Sequence, residues 1–157
     1  MTVDTIAPVR KTVVVSAAQD RAFRAFTEQI DRWWPRQHHI GKAPMTQAIL
    51  EGRPGGRWYS THEDGTECDN GRVLVWDPPG RLVLAWQITA DWTFDPDFVT
   101  EVEVTFTPES PTRTRVDLEH RNLDRYGDRA KSTREAIDAP GGWPLIMEQF
   151  ARVAAES

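Results

Sequence analysis

A single cysteine, Cys68, leaves no partner for an internal disulfide, and no basic residue stands beside it to lower its pKa. It reads as a small, partly buried residue. Basic runs are also missing. With a formal net charge of −5 the chain offers no electrostatic footprint for nucleic acid or for an anionic membrane surface. No apolar run reaches membrane-spanning length, and the opening MTVDTIAPVR has no apolar core of a secretion signal. A cytoplasmic protein with no membrane insertion is the expectation. Metal-ligand spacings are absent too: there is no Cys-x-x-Cys and no His-Glu-x-x-His. His38-His39 is a loop dipeptide, and His62 and His120 stand apart in sequence. Neither a phosphate-cradling loop with lysine nor a Gly-x-Ser-x-Gly elbow occurs. No metal and no cofactor are expected.

What is present is tryptophan. Seven in 157 residues is a high number for one domain. Tryptophan joins a large apolar face to a polar N–H, so clusters of it line ligand cavities as well as fill cores. The chain length fits one domain with a substantial core, here residues 1–157 with the core at about 9–155.

Periodicity sets out the elements. Val9–Val15 is a β-branched strand. Ser16-Ala-Ala-Gln19 has the form of a capping box. Two short helices follow, Ala18–Thr27 and about Glu28–Trp34, stopped by Pro35. Strands are expected at Met45–Leu50, Arg57–His62, Gly71–Trp76, Arg81–Thr89, Val99–Thr107 and Thr112–Arg121. Glu63-Asp64-Gly65-Thr66, Asp77-Pro-Pro-Gly80 and Pro108–Pro111 supply tight turns. Residues 128–137 carry a helical stretch. Trp143-Pro144 opens the last helix, with Trp143, Ile146, Met147, Phe150, Val153 and Ala154 on one face.

Short strands joined by tight turns build an antiparallel meander. A twisted seven-stranded sheet curls around one helix, and one helix cannot fill so curved a sheet along its length. A cavity is therefore expected at one end. Leu82, Leu84, Trp86 and Ile88 share a face, as do Val102, Val104 and Phe106, and as do Val116, Leu118 and His120. For Arg57–His62 both faces mix polar and aromatic residues, so the alternation does not choose between them.

Gly55-Gly-Arg-Trp58, Asp64-Gly65, Gly71-Arg-Val-Leu-Val75, Pro78-Pro-Gly-Arg-Leu82 and Trp86 form an ordered series of motifs. Glu101–Phe106, Thr112–His120 and the late Gly-Gly-Trp-Pro segment continue it. From about Val9 to Ala154 the series resembles the family of homologues of the activator of the ninety-kilodalton heat-shock chaperone's ATPase, in the START-like or SRPBCC superfamily. That resemblance implies an α+β helix-grip fold like that of the birch-pollen allergen, a curved seven-stranded antiparallel sheet around a long C-terminal helix in the order β-α-α-β6-α. It also implies a hydrophobic cavity between sheet and helix. Superfamily members bind lipids, sterols and polyketides, cyclise or dehydrate aromatic polyketides, or dock on a chaperone.

The functional expectation is a binding protein for a small apolar or aromatic molecule, more a binder than an enzyme. The ligand-binding candidates are Trp34, Trp58, Trp86, His120, Trp143 and Met147 as wall, and Trp92 as lid. One alternative is a cyclase or dehydratase acting on polyketide-like substrates, with His120 as its acid–base candidate. The other is a chaperone-interacting module. Pairing into a homodimer through an exposed sheet edge or the lid is a further expectation.

Overall fold

The computed structural model describes residues 6–156. Seven strands form one antiparallel sheet: β1 (Val9–Val15), β2 (Met45–Leu50), β3 (Arg57–His62), β4 (Glu67–Asp77), β5 (Arg81–Trp86), β6 (Thr100–Ser110) and β7 (Arg113–Arg121). Their spatial order is β1-β7-β6-β5-β4-β3-β2. Helices α1 (Gln19–Thr27) and α2 (Ile30–Trp33) link β1 to the far edge of the sheet. A 3₁₀ segment, Leu123–Arg129, leads into α3 (Ala130–Ile137), and α4 (Trp143–Glu156) closes the fold. The sheet is a curled half-barrel with α4 against its concave face. This is the helix-grip architecture expected, with the 3₁₀ segment added. No described helix is long and apolar enough to cross a membrane.

The apolar stripe of α4 is buried as its spacing requires: Trp143, Ile146, Met147, Phe150, Val153 and Ala154 all face the core. One end of the sheet is packed solid. Phe23 and Phe26 of α1 meet Phe106 at 5.2 and 5.9 Å, and Phe26 meets Phe150 at 5.1 Å. Trp33 closes the same cluster against Phe150 at 5.5 Å, with its indole N–H donating to the Ala25 carbonyl. On the convex face the charges pair: Arg121 bridges Glu101 and Glu103, and Arg81 shares Glu103. These pairs hold the Glu103 carboxyl below its ordinary range.

Several boundaries differ from the sequence reading. The capping box does not form. Ala18 is the N-cap and makes no side-chain cap bond, while the Gln19 amide donates to the Phe106 carbonyl and ties α1 to β6. The second helix covers only Ile30–Trp33, because Pro35 forces Trp34 into an extended conformation. Strand β4 begins at Glu67, four residues before Gly71; its polar start made it look like part of the hairpin. Pro108 lies within β6 rather than in the turn. The β5 pairing ends at Thr105, and a proline is tolerated where only one neighbour remains. Strand β5 stops at Trp86, and the chain then bends into a small hairpin bridged at Ile88 and Phe94.

The β3–β4 ladder carries the feature that shapes the interior. Trp58 pairs with Gly71 and Tyr59 with Asp69, so Asn70 is the extra residue of a β-bulge. Gly71 in turn pairs with Trp86. A Cβ on Gly71 would lie 1.7 Å from the Ala85 carbonyl oxygen. Only glycine fits there, and the missing side chain lets the Trp58 and Trp86 rings meet at 5.7 Å across it. Gly71→Ala must push β4 and β5 apart. Denaturant unfolding should show a loss of about 3 kcal/mol or more, at the top of the range for overpacked cores. A loss within experimental error would show that the strands are not in that contact.

Candidate functional site

At the end of the sheet opposite the phenylalanine cluster lies a cavity of about 440 Å³, in the range that takes a drug-sized molecule. Five of the seven tryptophans line it: Trp34, Trp58, Trp86, Trp92 and Trp143. Four of these form a closed cycle of edge contacts. Trp34 meets Trp58 at 5.5 Å, Trp58 meets Trp86 at 5.7 Å, Trp86 meets Trp143 at 5.9 Å, and Trp143 returns to Trp34 at 6.2 Å. Edge-to-face and tilted contacts of this kind suit the ring quadrupole. Each member comes from a different element. Trp34 ends α2, Trp58 and Trp86 stand on β3 and β5, and Trp143 starts α4.

The face of β3 that alternation left open is settled by burial. Trp58, Ser60 and His62 point inward, and Arg57, Tyr59 and Thr61 outward. Ser60 and His62 are spent on structure. The Ser60 hydroxyl donates to His62 Nε2 at 2.8 Å, and His62 Nδ1–H donates to the Ala43 carbonyl at 2.8 Å. The mouth is marked by exposed lining residues, Gln37, Trp92 and Gly141, and the floor by buried ones, Trp58, Asn70, Trp86 and Trp143. Trp92 is 47% exposed with φ at 62°, a left-handed backbone unusual for an aromatic residue. Arg129 holds its hairpin by donating to the Asp91 carboxylate and the Ala90 carbonyl.

Two of the sequence candidates lie elsewhere. Met147 is buried in the core of α4 and does not line the cavity. His120 faces inward as alternation predicts but lies one layer behind the wall, with no exposed surface. Trp143 Nε1–H donates to His120 Nδ1 at 3.1 Å, so Nδ1 carries the lone pair. Nε2–H then donates to Thr100 Oγ1 at 2.8 Å, and that hydroxyl donates to the Trp86 carbonyl. Burial pushes the imidazole from 6.5 down to about 3. Both nitrogens of the ring are engaged, Nδ1 by Trp143 and Nε2 by Thr100.

The sequence reading missed His38, His39, Asn70 and the Gly141-Gly142 turn as lining residues. His38 Nε2–H donates to the Gly141 carbonyl at 2.6 Å and ties the loop before β2 to the start of α4. The one available signal was Asn70-Gly71, since a glycine within a strand pattern marks a bulge or a close approach. Among the described residues, no three His, Cys, Asp or Glu side chains converge as metal ligands would.

The family model described as Activator of Hsp90 ATPase homolog 1-like protein matches residues 16–155. The anthrahydroquino-γ-pyrone synthase Txn09 is 40% identical over 95% of this chain and 97% of its own, with a TM-score of 0.67. The self-sacrificing resistance protein CalC from Micromonospora echinospora is 33% identical over 96% of this chain and 95% of its own, with a TM-score of 0.72. The Aha1 dimer from Colwellia psychrerythraea covers 96% of this chain and 97% of its own at 13% identity with a TM-score of 0.62, a likeness of fold alone. No curated protein matches the chain.

The depressed His120 pKa has a signed consequence for stability. The unfolded chain takes up a proton near 6.5 that the folded one refuses until about 3. The stabilisation is complete above 6.5 and is lost as pH falls through that window, by up to about 1.4 kcal/mol per pH unit. Denaturant unfolding between pH 7 and about 4.5, above the main carboxylate range, should show this slope in the wild type and a flatter one in His120→Asn. Identical slopes would mean that the imidazole is not buried neutral.

Proposed function

The chain belongs to the Activator of Hsp90 ATPase homolog 1-like family, and on that premise we propose that its cavity binds a planar, fused-ring aromatic molecule of the polyketide type. The observation that carries this reading is the closed cycle of four indoles that lines about 440 Å³ of space. Flat π-faces set at steep angles to one another favour a rigid planar guest, which gives up little conformational entropy on entry. Trp34, Trp58, Trp86 and Trp143 hold it, and Trp92 at the mouth covers it. The 40% identity to a synthase of anthrahydroquinone-fused pyrones supports the ligand class.

A second reading, ring closure on such a molecule, is favoured by that same identity and by two imidazoles lining the cavity, His38 and His39. The bond of His38 to the Gly141 carbonyl runs through Nε2 and does not use Nδ1. Attack of a phenol oxygen on a ketone carbon of the same molecule moves the phenol proton to the ketone oxygen, and loss of the resulting hydroxyl as water takes up the proton released from the carbon between the two carbonyls. An imidazole at the ligand performs both transfers. In this reading the acid–base group is one of the lining histidines, and His120 serves only to orient Trp143.

One experiment addresses both. 1,8-Dihydroxyanthraquinone should quench tryptophan emission saturably at micromolar concentration and raise Tm, because a ligand at 100 times its Kd adds about 2.7 kcal/mol. The absence of both quenching and a Tm shift, with this probe and with unsubstituted anthraquinone, would contradict the binding reading. An o-hydroxyaryl 1,3-diketone recovered unchanged after incubation supports binding alone. Its conversion to the pyrone with loss of water, faster than in buffer, supports ring closure.

A further inference from the structure

The tryptophan cavity is apolar almost throughout, which makes its one deep amide conspicuous. Asn70 lines the cavity and is 94% buried, its relative exposure being 6%. Its backbone is occupied: the Asn70 carbonyl accepts from Gln87 N at 2.8 Å. Its side-chain amide has no hydrogen-bond partner among the described residues. Nor are the amide atoms sealed away, as the indole nitrogens of Trp58 and Trp86 beside it are. An amide with no protein partner and its accessible surface in the cavity is left to bond whatever occupies that space.

The backbone is built to put it there. Strict alternation would send Asn70 or Gly71 to the convex face. The bulge between the Trp58–Gly71 and Tyr59–Asp69 pairs turns both inward, and bulges commonly re-aim a side chain beside a functional site. Gly71 opens the gap between Trp58 and Trp86, and Asn70 places a polar group next to it. The indole N–H groups of Trp58 and Trp86 also lack acceptors, but they are sealed, which leaves Asn70 as the deep polar group that the cavity can reach.

We infer that Asn70 is the specificity-determining anchor of the cavity, reading a ligand edge that carries a hydroxyl and a carbonyl side by side. In such an edge the hydroxyl proton is held by the neighbouring carbonyl, so both oxygens face outward as acceptors and the amide N–H groups donate to them. This rests on the reading of the cavity as a fused-ring aromatic site and deepens it. The rings supply affinity for any flat aromatic, while Asn70 selects the oxygenated one and fixes which edge enters first. A site with a buried, unpartnered amide discriminates against the analogue that lacks the complementary oxygens.

The test compares two probes of equal ring count on three proteins. 1-Hydroxyanthraquinone carries the proposed edge, and anthracene has no oxygen. Wild type should bind the hydroxyquinone about tenfold or more tightly than anthracene by fluorescence titration. Asn70→Leu keeps the size, removes the polarity, and should abolish that preference by weakening the quinone while leaving anthracene within about twofold. Asn70→Asp keeps the shape, removes the donor, and should weaken the quinone as well. Wild type alone provides an arm free of folding effects: unsubstituted anthraquinone, which lacks the hydroxyl oxygen beside its carbonyl, should bind more weakly than the hydroxy compound by about fivefold or more. Equal losses for both probes in Asn70→Leu, or an undiminished preference, overturn the inference and leave the cavity reading intact. Failure of wild type to bind any of these probes overturns both.

Discussion

Gly71 is the residue on which the interior depends. The Ala85 carbonyl approaches so closely that no Cβ fits, and the absent side chain leaves a gap in the middle of the concave face. Trp58 and Trp86 lean into that gap from the strands on either side. Without it, two indoles on neighbouring rows would be separated by a third side chain, and the cycle that runs on to Trp143 and Trp34 would not close. The same bulge that admits the glycine also turns Asn70 inward. One irregularity in β4 therefore sets the shape of the cavity and its polarity together.

The rest of the domain holds this arrangement fixed. Phenylalanines from α1, β6 and α4 fill one end of the curled sheet, so the unfilled space collects at the other. There the wall is oriented from behind. The relay from the Trp143 indole through His120 and Thr100 to the Trp86 carbonyl joins two members of the cycle through a fully buried neutral imidazole. Each polar atom in that relay has a partner, which is the condition under which a buried network specifies one geometry instead of destabilising the core. His38 plays a similar part at the mouth, linking its loop to the turn before α4.

Much of this was legible in the sequence. Alternation in β5, β6 and β7 identified the inward rows, and the stripe from Trp143 to Ala154 identified the helix they face. Five of the tryptophan choices, Trp34, Trp58, Trp86, Trp92 and Trp143, do line one cavity. Where the reading stopped short, the cause was physical. His120 and Met147 lie on the expected faces, but alternation gives a side and not a depth, and Trp143 comes over His120 from 23 positions away. Asn70 escaped the count of inward rows because a bulge breaks their period, and only the glycine beside it signalled the irregularity. The start of β4 was hidden by its polar residues, which pair by backbone bonds regardless of side-chain character. The capping box failed because Gln19 found the Phe106 carbonyl, a partner 87 positions distant.

That a flat aromatic molecule lies against the indole cycle is the central claim. Titration of ¹⁵N-labelled protein with 1,8-dihydroxyanthraquinone, followed through the seven indole N–H resonances, tests it directly. The claim predicts that the signals of Trp34, Trp58, Trp86, Trp92 and Trp143 shift together to saturation. Trp76, against Phe23, should stay in place. Shifts confined to Trp76 or to surface amides, with the cavity indoles unmoved, would contradict it.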